Sequence, residues 1–73
     1  MKTDLYVCEE EMIIDEKGTL FISNESLDGN QDFLEPGSYV NVHNMDADNP
    51  FIAFCTYKVI SKDDNGVKFE FIS

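Results

Sequence analysis

The last third of the chain, Phe51 to Ser73, constrains the fold more than any other stretch. Its first arm, Phe51–Ser61, is nearly unbroken in apolar and β-branched residues, and its second, Val67–Ile72, alternates Val67, Phe69 and Phe71 with Lys68 and Glu70. Asp63-Asp64-Asn65-Gly66 lies between them, and Asn-Gly between two such runs is a strong hairpin signal. The turn leaves the register open. A two-residue Asn65-Gly66 loop sets Phe71 opposite Ile60, and a three-residue loop ending on a left-handed Gly66 sets it opposite Val59. Both partners are apolar, so the hydrophobic pattern does not choose between them. An arm that is apolar on both faces reads as a central strand, and a flat sheet would leave one of those faces bare. Curling the sheet is expected to bury Phe54 and Ile60 as well as Ala53, Cys55 and Val59, while alternation puts Phe69 and Phe71 in the core.

Upstream, Thr3–Cys8 alternates Leu5 and Val7 with Tyr6 and Cys8. Three adjacent glutamates, Glu9–Glu11, have poor β-propensity and mark a bulge or the exposed edge of a long bent strand that continues into Met12–Ile14. Asp15–Gly18 is a turn, and Thr19–Ser23 returns with Leu20 and Ile22 on one face. Asn24–Ser38 is the longest irregular segment, with at most one helical turn near Gln31–Glu35. Leu27, Phe33 and Leu34 are expected to pin it to the core. Pro36-Gly37 turns the chain into Tyr39–Asn44, where Val40 and Val42 face inward and Tyr39, Asn41 and His43 outward. Asn49-Pro50 closes the acidic loop Met45–Pro50. Helical periodicity is absent. These elements predict one all-β domain over 1–73, a small five-stranded antiparallel barrel or half-barrel of SH3-like or OB-like type, with no substantial helix. A small sandwich, or a barrel completed by a second copy in a homodimer, is the alternative. A chain of 73 residues buries only about 60% of its unfolded surface, which leaves little interior for a cleft.

Charge is the outlier in composition. Fifteen carboxylates face five lysines, there is no arginine, and the formal net charge is −10. The lysines are Lys2, Lys17, Lys58, Lys62 and Lys68, so the stretch from Gly18 to Tyr57 holds Glu25, Asp28, Asp32, Glu35, Asp46 and Asp48 and no basic side chain. Direct binding of nucleic acid, which rests on Lys and Arg at phosphates, is excluded on this ground, and so is docking on an anionic membrane. No apolar stretch is long enough to span a bilayer, and no basic-then-apolar leader opens the chain. Cys8 and Cys55 lie within apolar runs. With no secretory signal they read as reduced, buried thiols of a cytoplasmic protein.

The motifs that would carry chemistry are incomplete. Asp28-Gly29-Asn30-Gln31-Asp32 opens like a calcium loop, but the sixth position is Phe33 instead of Gly and the twelfth is Tyr39 instead of Glu, so the segment reads as a solvated turn. His43, the single histidine, has neither a nucleophile nor a ligand-spacing motif beside it. Together with Cys8 and Cys55 it would supply only three metal ligands, from separate strands. Cys55 lacks the cationic surroundings of a reactive thiolate. No phosphate loop is present. These absences point to a protein that is not an enzyme and takes no cofactor or metal.

What remains is the acidic surface. Carboxylates on a stiff β scaffold can occupy the positions of phosphates, so a nucleic-acid-binding protein meets a decoy of its own ligand. In size and charge the chain is similar to the small anti-CRISPR and anti-restriction inhibitors that phages and mobile elements deploy. The expected function is therefore inhibition by occluding a basic, nucleic-acid-binding surface of a protein partner such as a nuclease. The expected contacts are Glu25, Asp28, Asp32 and Glu35 in the long loop, Asp46 and Asp48 in the next, and Glu9, Glu10 and Glu11. Phe33 and Tyr39 would serve as aromatic anchors. The alternative is an SH3-like or OB-like structural or adaptor module, such as a phage assembly component, whose charge only keeps it soluble.

Overall fold

The computed structural model describes residues 3–73. Six strands form one sheet: β1 (Thr3–Val7), β2 (Ile13–Ile14), β3 (Leu20–Ser23), β4 (Tyr39–Asn44), β5 (Phe54–Lys62) and β6 (Gly66–Phe71). Their order across the sheet is β1-β4-β5-β6-β3-β2. The sheet curls into a half-barrel, but the curl buries only one face of β5. It has six strands instead of five because the expected long bent first strand is broken by a 3-10 turn at Glu9–Glu11. Its two halves, β1 and β2, thus become the two edges of the sheet, and the chain itself, Cys8–Met12, bridges the gap between them. Four of the ladders are antiparallel, whereas β1 runs parallel to β4 with Thr3 opposite Val40 and Val7 opposite Asn44.

The concave face is the core. Leu5 and Val7, Val40 and Val42, Tyr57 and Val59, Val67 and Phe69, and Leu20 and Ile22 pack there, each at most 6% exposed, with Met12 partly buried against them. The registers define two ends. At one, β3 and β5 finish and β4 and β6 begin; the segment between β3 and β4 folds over this end. It holds a short helix, α1 (Asn24–Leu27), whose N-terminus is capped by Ser23 Oγ accepting from Ser26 N at 3.2 Å. Asp28 (φ 50°) and Gly29 (φ 93°) end it in left-handed conformations, and a 3-10 turn follows at Asn30–Phe33. Leu27 and Leu34, both 1% exposed, stopper this closed end. Phe33 does not help: it is 71% exposed. The opposite end, where β4 and β6 finish, is crossed by Cys8–Met12 but has no fully buried stopper among the described residues; it is the mouth.

The last hairpin adopts neither expected register. Asp63 N–H donates to the Gly66 carbonyl at 3.0 Å, and the Asp63 carboxylate accepts from Asn65 N (2.8 Å) and Gly66 N (3.1 Å), so Asp64-Asn65 form the tip. Lys62 lies opposite Val67. A bulge at Ile60 then shifts the ladder, setting Val59 opposite Phe69 and Phe71 opposite Tyr57. Gly66 is not a left-handed turn residue. It is the point where β3 approaches β6, and a Cβ there would collide with the Ile22 carbonyl and lie 2.6 Å from Phe21 Cζ.

Several residues expected inside are therefore outside. Phe71 shares the face of Phe69 but lies at the mouth, 53% exposed. Ile60 is turned out by the bulge (47%), Phe54 lies on the convex face (45%), and Cys55 is exposed at the mouth. Phe51 and Ile52 belong to a turn, each 74% exposed, because Asn49 bonds back to the chain through Oδ1 with Phe51 N and through its carbonyl with Ile52 N. Conversely, His43 is on the convex face as expected but is buried.

Phe69→Ala is expected to cost roughly 3–5 kcal/mol, most of the stability of a domain this small, whereas Phe71→Ala should cost about 1 kcal/mol or less. Thermal denaturation of the two variants beside the parent checks the difference, and equal losses would contradict the open mouth.

Candidate interaction surface

The residues singled out by charge fall into two groups. Glu25, Asp28, Asp32, Phe33 and Glu35 sit on the segment that covers the closed end, with Tyr39 at the start of β4 and with Asp63 and Asp64 from the neighbouring hairpin. Glu9, Glu10, Glu11, Asp46 and Asp48 sit at the mouth, on the connections leaving β1 and β4. The nine residues of β5 separate the two ends by about 25 Å at the strand rise of ~3.3 Å per residue.

Not all of these carboxylates are free. Glu35 Oε1 pairs with Lys62 Nζ at 3.0 Å, and the same ammonium donates to the Gln31 carbonyl at 3.2 Å. Glu11 Oε1 accepts from Cys8 N at 2.8 Å and stabilises the 3-10 turn. Asp46 Oδ2 accepts from Glu9 N at 2.7 Å, tying the β1–β2 connection to the β4–β5 loop. Glu25, Asp28, Asp32, Asp48, Glu9 and Glu10 form no ion pair among the described residues and are all exposed.

The convex face beside the mouth carries a cluster that the residue pattern did not reveal. His43 stacks on Tyr6 (ring centroids 4.3 Å apart, planes at 22°) and packs against Phe54 (4.8 Å), while Phe51 meets Tyr6 edge-on at 6.2 Å. His43 Nδ1 is 2.6 Å from the Pro50 carbonyl oxygen and Nε2 is 3.0 Å from Asp4 Oδ1. A carbonyl and a carboxylate only accept, so both ring nitrogens face acceptors. Asn41 supports the network, donating to Asp4 Oδ1 at 3.2 Å and accepting from Thr56 Oγ1 at 2.9 Å. The local signal was Asn49-Pro50: a turn there lifts Phe51 and Ile52 off the strand and folds the loop back over His43.

At the mouth, Met12, Val42, Asn44, Ile52, Ala53, Phe54, Cys55 and Tyr57 line an open cavity of about 390 Å³. Burial pushes the Tyr57 hydroxyl pKa up, so the phenol stays neutral there. Burial likewise pushes the Cys8 thiol up, and the nearby Asp46, Glu11 and Glu10 carboxylates add to the shift. Among the described residues no group of three or more His, Cys, Asp or Glu side chains is placed to hold a metal ion, and no helix is long and apolar enough to cross a membrane. No family model, curated protein or solved structure matches the chain.

Two outcomes follow from these environments. Both cysteines are unbonded, but a thiol reagent at neutral pH should label Cys55 in the folded protein while Cys8 lags until denaturant is added; equal rates would mean that the first 3-10 turn does not shield Cys8. The Asp4 carboxyl is held below the ordinary 3.8, first by its hydrogen bond to His43 and then by that to Asn41. Asp63 is held below 3.8 by the Asn65 and Gly66 N–H groups. A lowered folded-state pKa gives stability that is complete above the unfolded value and lost as pH falls through the folded one. Asp63→Asn keeps the acceptor oxygen but removes the charge. Its melting temperature should lie below the parent's at neutral pH, and the gap should close as pH drops from about 4 toward ~2; a gap independent of pH would contradict the assignment.

Proposed function

We propose that the chain is a non-catalytic acidic binding protein that occludes a basic, nucleic-acid-binding surface of a protein partner. The supporting observation is the placement of its unpaired carboxylates. Glu25, Asp28 and Asp32 stand at the closed end, and Glu9, Glu10 and Asp48 at the mouth, on a sheet whose strands fix their separation. Along one nucleic-acid strand charges recur every ~3.4 Å, so about 25 Å corresponds to a run of roughly seven phosphates. A groove built for such a run would find charge at both of its ends. The partner class is a nuclease or other nucleic-acid-binding protein, as for the anti-CRISPR and anti-restriction inhibitors of phages. A cytoplasmic setting suits the two free thiols. A second reading, an adaptor or assembly module whose charge serves solubility, draws on the exposed Phe51 and Ile52, which are more apolar than an electrostatic decoy needs.

The test is capture from lysate of the cells that express the protein, using the parent and the triple variant Glu25→Gln, Asp28→Asn, Asp32→Asn. Asn tolerates the left-handed backbone of residue 28, and all three sites are exposed, so the fold is retained. Proteins bound at low salt should elute as screening shortens to a few ångströms, bind the variant more than tenfold more weakly, and lose their own nucleic acid to the parent in a mobility-shift assay. Equal binding by the variant, or a captured protein that keeps its nucleic acid, overturns the decoy reading in favour of the adaptor.

A further inference from the structure

The two ends of the half-barrel differ in one respect. At the closed end the chain supplies its own stopper, Leu27 and Leu34 at 1% exposure. At the mouth the segment Cys8–Met12 crosses, and its Met12 is only partly buried against the core. The concave wall from Met12 and Val42 to Cys55 and Tyr57 opens directly outward, and the cavity of about 390 Å³ is at the small end of the range for ligand pockets, ~300–1,000 Å³. Ile52 (74% exposed) lines it, and Phe71 (53%) stands beside Tyr57, ring centroids 5.7 Å apart. So much apolar surface at one end of so small a protein marks an interaction site. The cavity is open and its lining is mostly apolar, with Asn44 the one amide side chain, which suits an apolar side chain carried on a polypeptide better than a free small molecule.

The surrounding charge selects the occupant. Glu9, Glu10, Asp46 and Asp48 border the mouth from the β1 and β4 ends, and Asp15 and Glu16 from the β2–β3 turn, with Lys17 the one basic side chain in that turn. A second copy would present the same carboxylates and repel. We propose that the mouth receives one large apolar side chain, leucine, isoleucine, methionine or phenylalanine, from a protein partner, held on a segment whose flanking arginines or lysines meet these carboxylates. The anchor completes the half-barrel as Leu27 and Leu34 complete the closed end, and the basic flanks set its approach. This deepens the reading of the chain as a binder of basic protein surfaces, and rests on it.

The probe is a set of short capped peptides with a central Leu, Ile, Met or Phe and two arginines on each side, titrated into the ¹⁵N-labelled protein. Controls carry serine at the centre or glutamate at the flanks. At least one apolar-centred peptide should shift the amides of Ile52, Ala53, Cys55, Tyr57 and Phe71 and slow the labelling of Cys55 by a thiol reagent. The serine-centred and glutamate-flanked peptides should bind more than tenfold more weakly. Ile52→Ser, at a site exposed enough to leave melting unchanged, should weaken the apolar-centred peptide severalfold. If serine-centred and apolar-centred peptides bind equally, with shifts confined to acidic loops, the mouth proposal is overturned while the acidic-binder reading stands. If glutamate-flanked peptides enter the mouth as well as arginine-flanked ones, the basic partner is overturned. Mouth shifts that appear on raising protein concentration alone, with dimers in sedimentation, would assign the mouth to a second copy and overturn it too. The absence of any shift at millimolar peptide overturns both readings.

Discussion

A single sheet has no second layer to cover its apolar face, and every feature of this protein follows from how that face is hidden. The chain curls the sheet around Phe69, Leu20, Ile22 and Val59, so the side chains of one face bury one another. Two local features support the curl. The extra residue at Ile60 strengthens the twist where β5 meets β6. Gly66, without a Cβ, lets β3 lie against the start of β6. The curl closes one end with leucines from the β3–β4 segment and leaves the other open.

Negative charge is used in two ways. Asp4, Glu11, Asp15, Glu35, Asp46 and Asp63 all hold hydrogen bonds or ion pairs that shape turns, caps and the His43 network. The other nine of the fifteen carboxylates form no such side-chain bond among the described residues. They are the true excess over folding needs, and they include the groups at both ends. Composition counts all fifteen alike, which is why the sequence alone put Glu11, Glu35 and Asp46 among the contacts although each is already engaged within the chain.

The strands were legible because period-two alternation reports directly on a sheet with one wet face: Leu5 and Val7, Leu20 and Ile22, Val40 and Val42, Val67 and Phe69 all point where their spacing puts them. Three things were not legible. The parallel pairing of β1 with β4 joins residues 37 apart, and no local pattern encodes a partner that distant. His43 follows its alternation outward but is buried because the Tyr6 and Phe54 rings pack on it and the Pro50 carbonyl meets its Nδ1. Phe71 obeys its alternation too, yet burial depends on whether anything covers that end of the barrel. For the site, residue types were readable and their grouping was not. Glu9–Glu11 and Glu25–Glu35 lie close in sequence and at opposite ends in space, and the apolar patch at Phe51 and Ile52 was hidden inside what read as a core strand.

The parallel β1–β4 ladder has a consequence for synthesis. Thr3–Val7 leaves the ribosome before its partner, which lies 37 residues further along the chain in Tyr39–Asn44. At ~5–20 residues per second the nascent strand waits seconds with its backbone unpaired. Closing so long a loop also makes this pairing among the slower events of folding. The run Glu9–Glu11 directly behind the waiting strand is the kind of charged flank that keeps an unpaired apolar segment from joining its neighbours on a polysome.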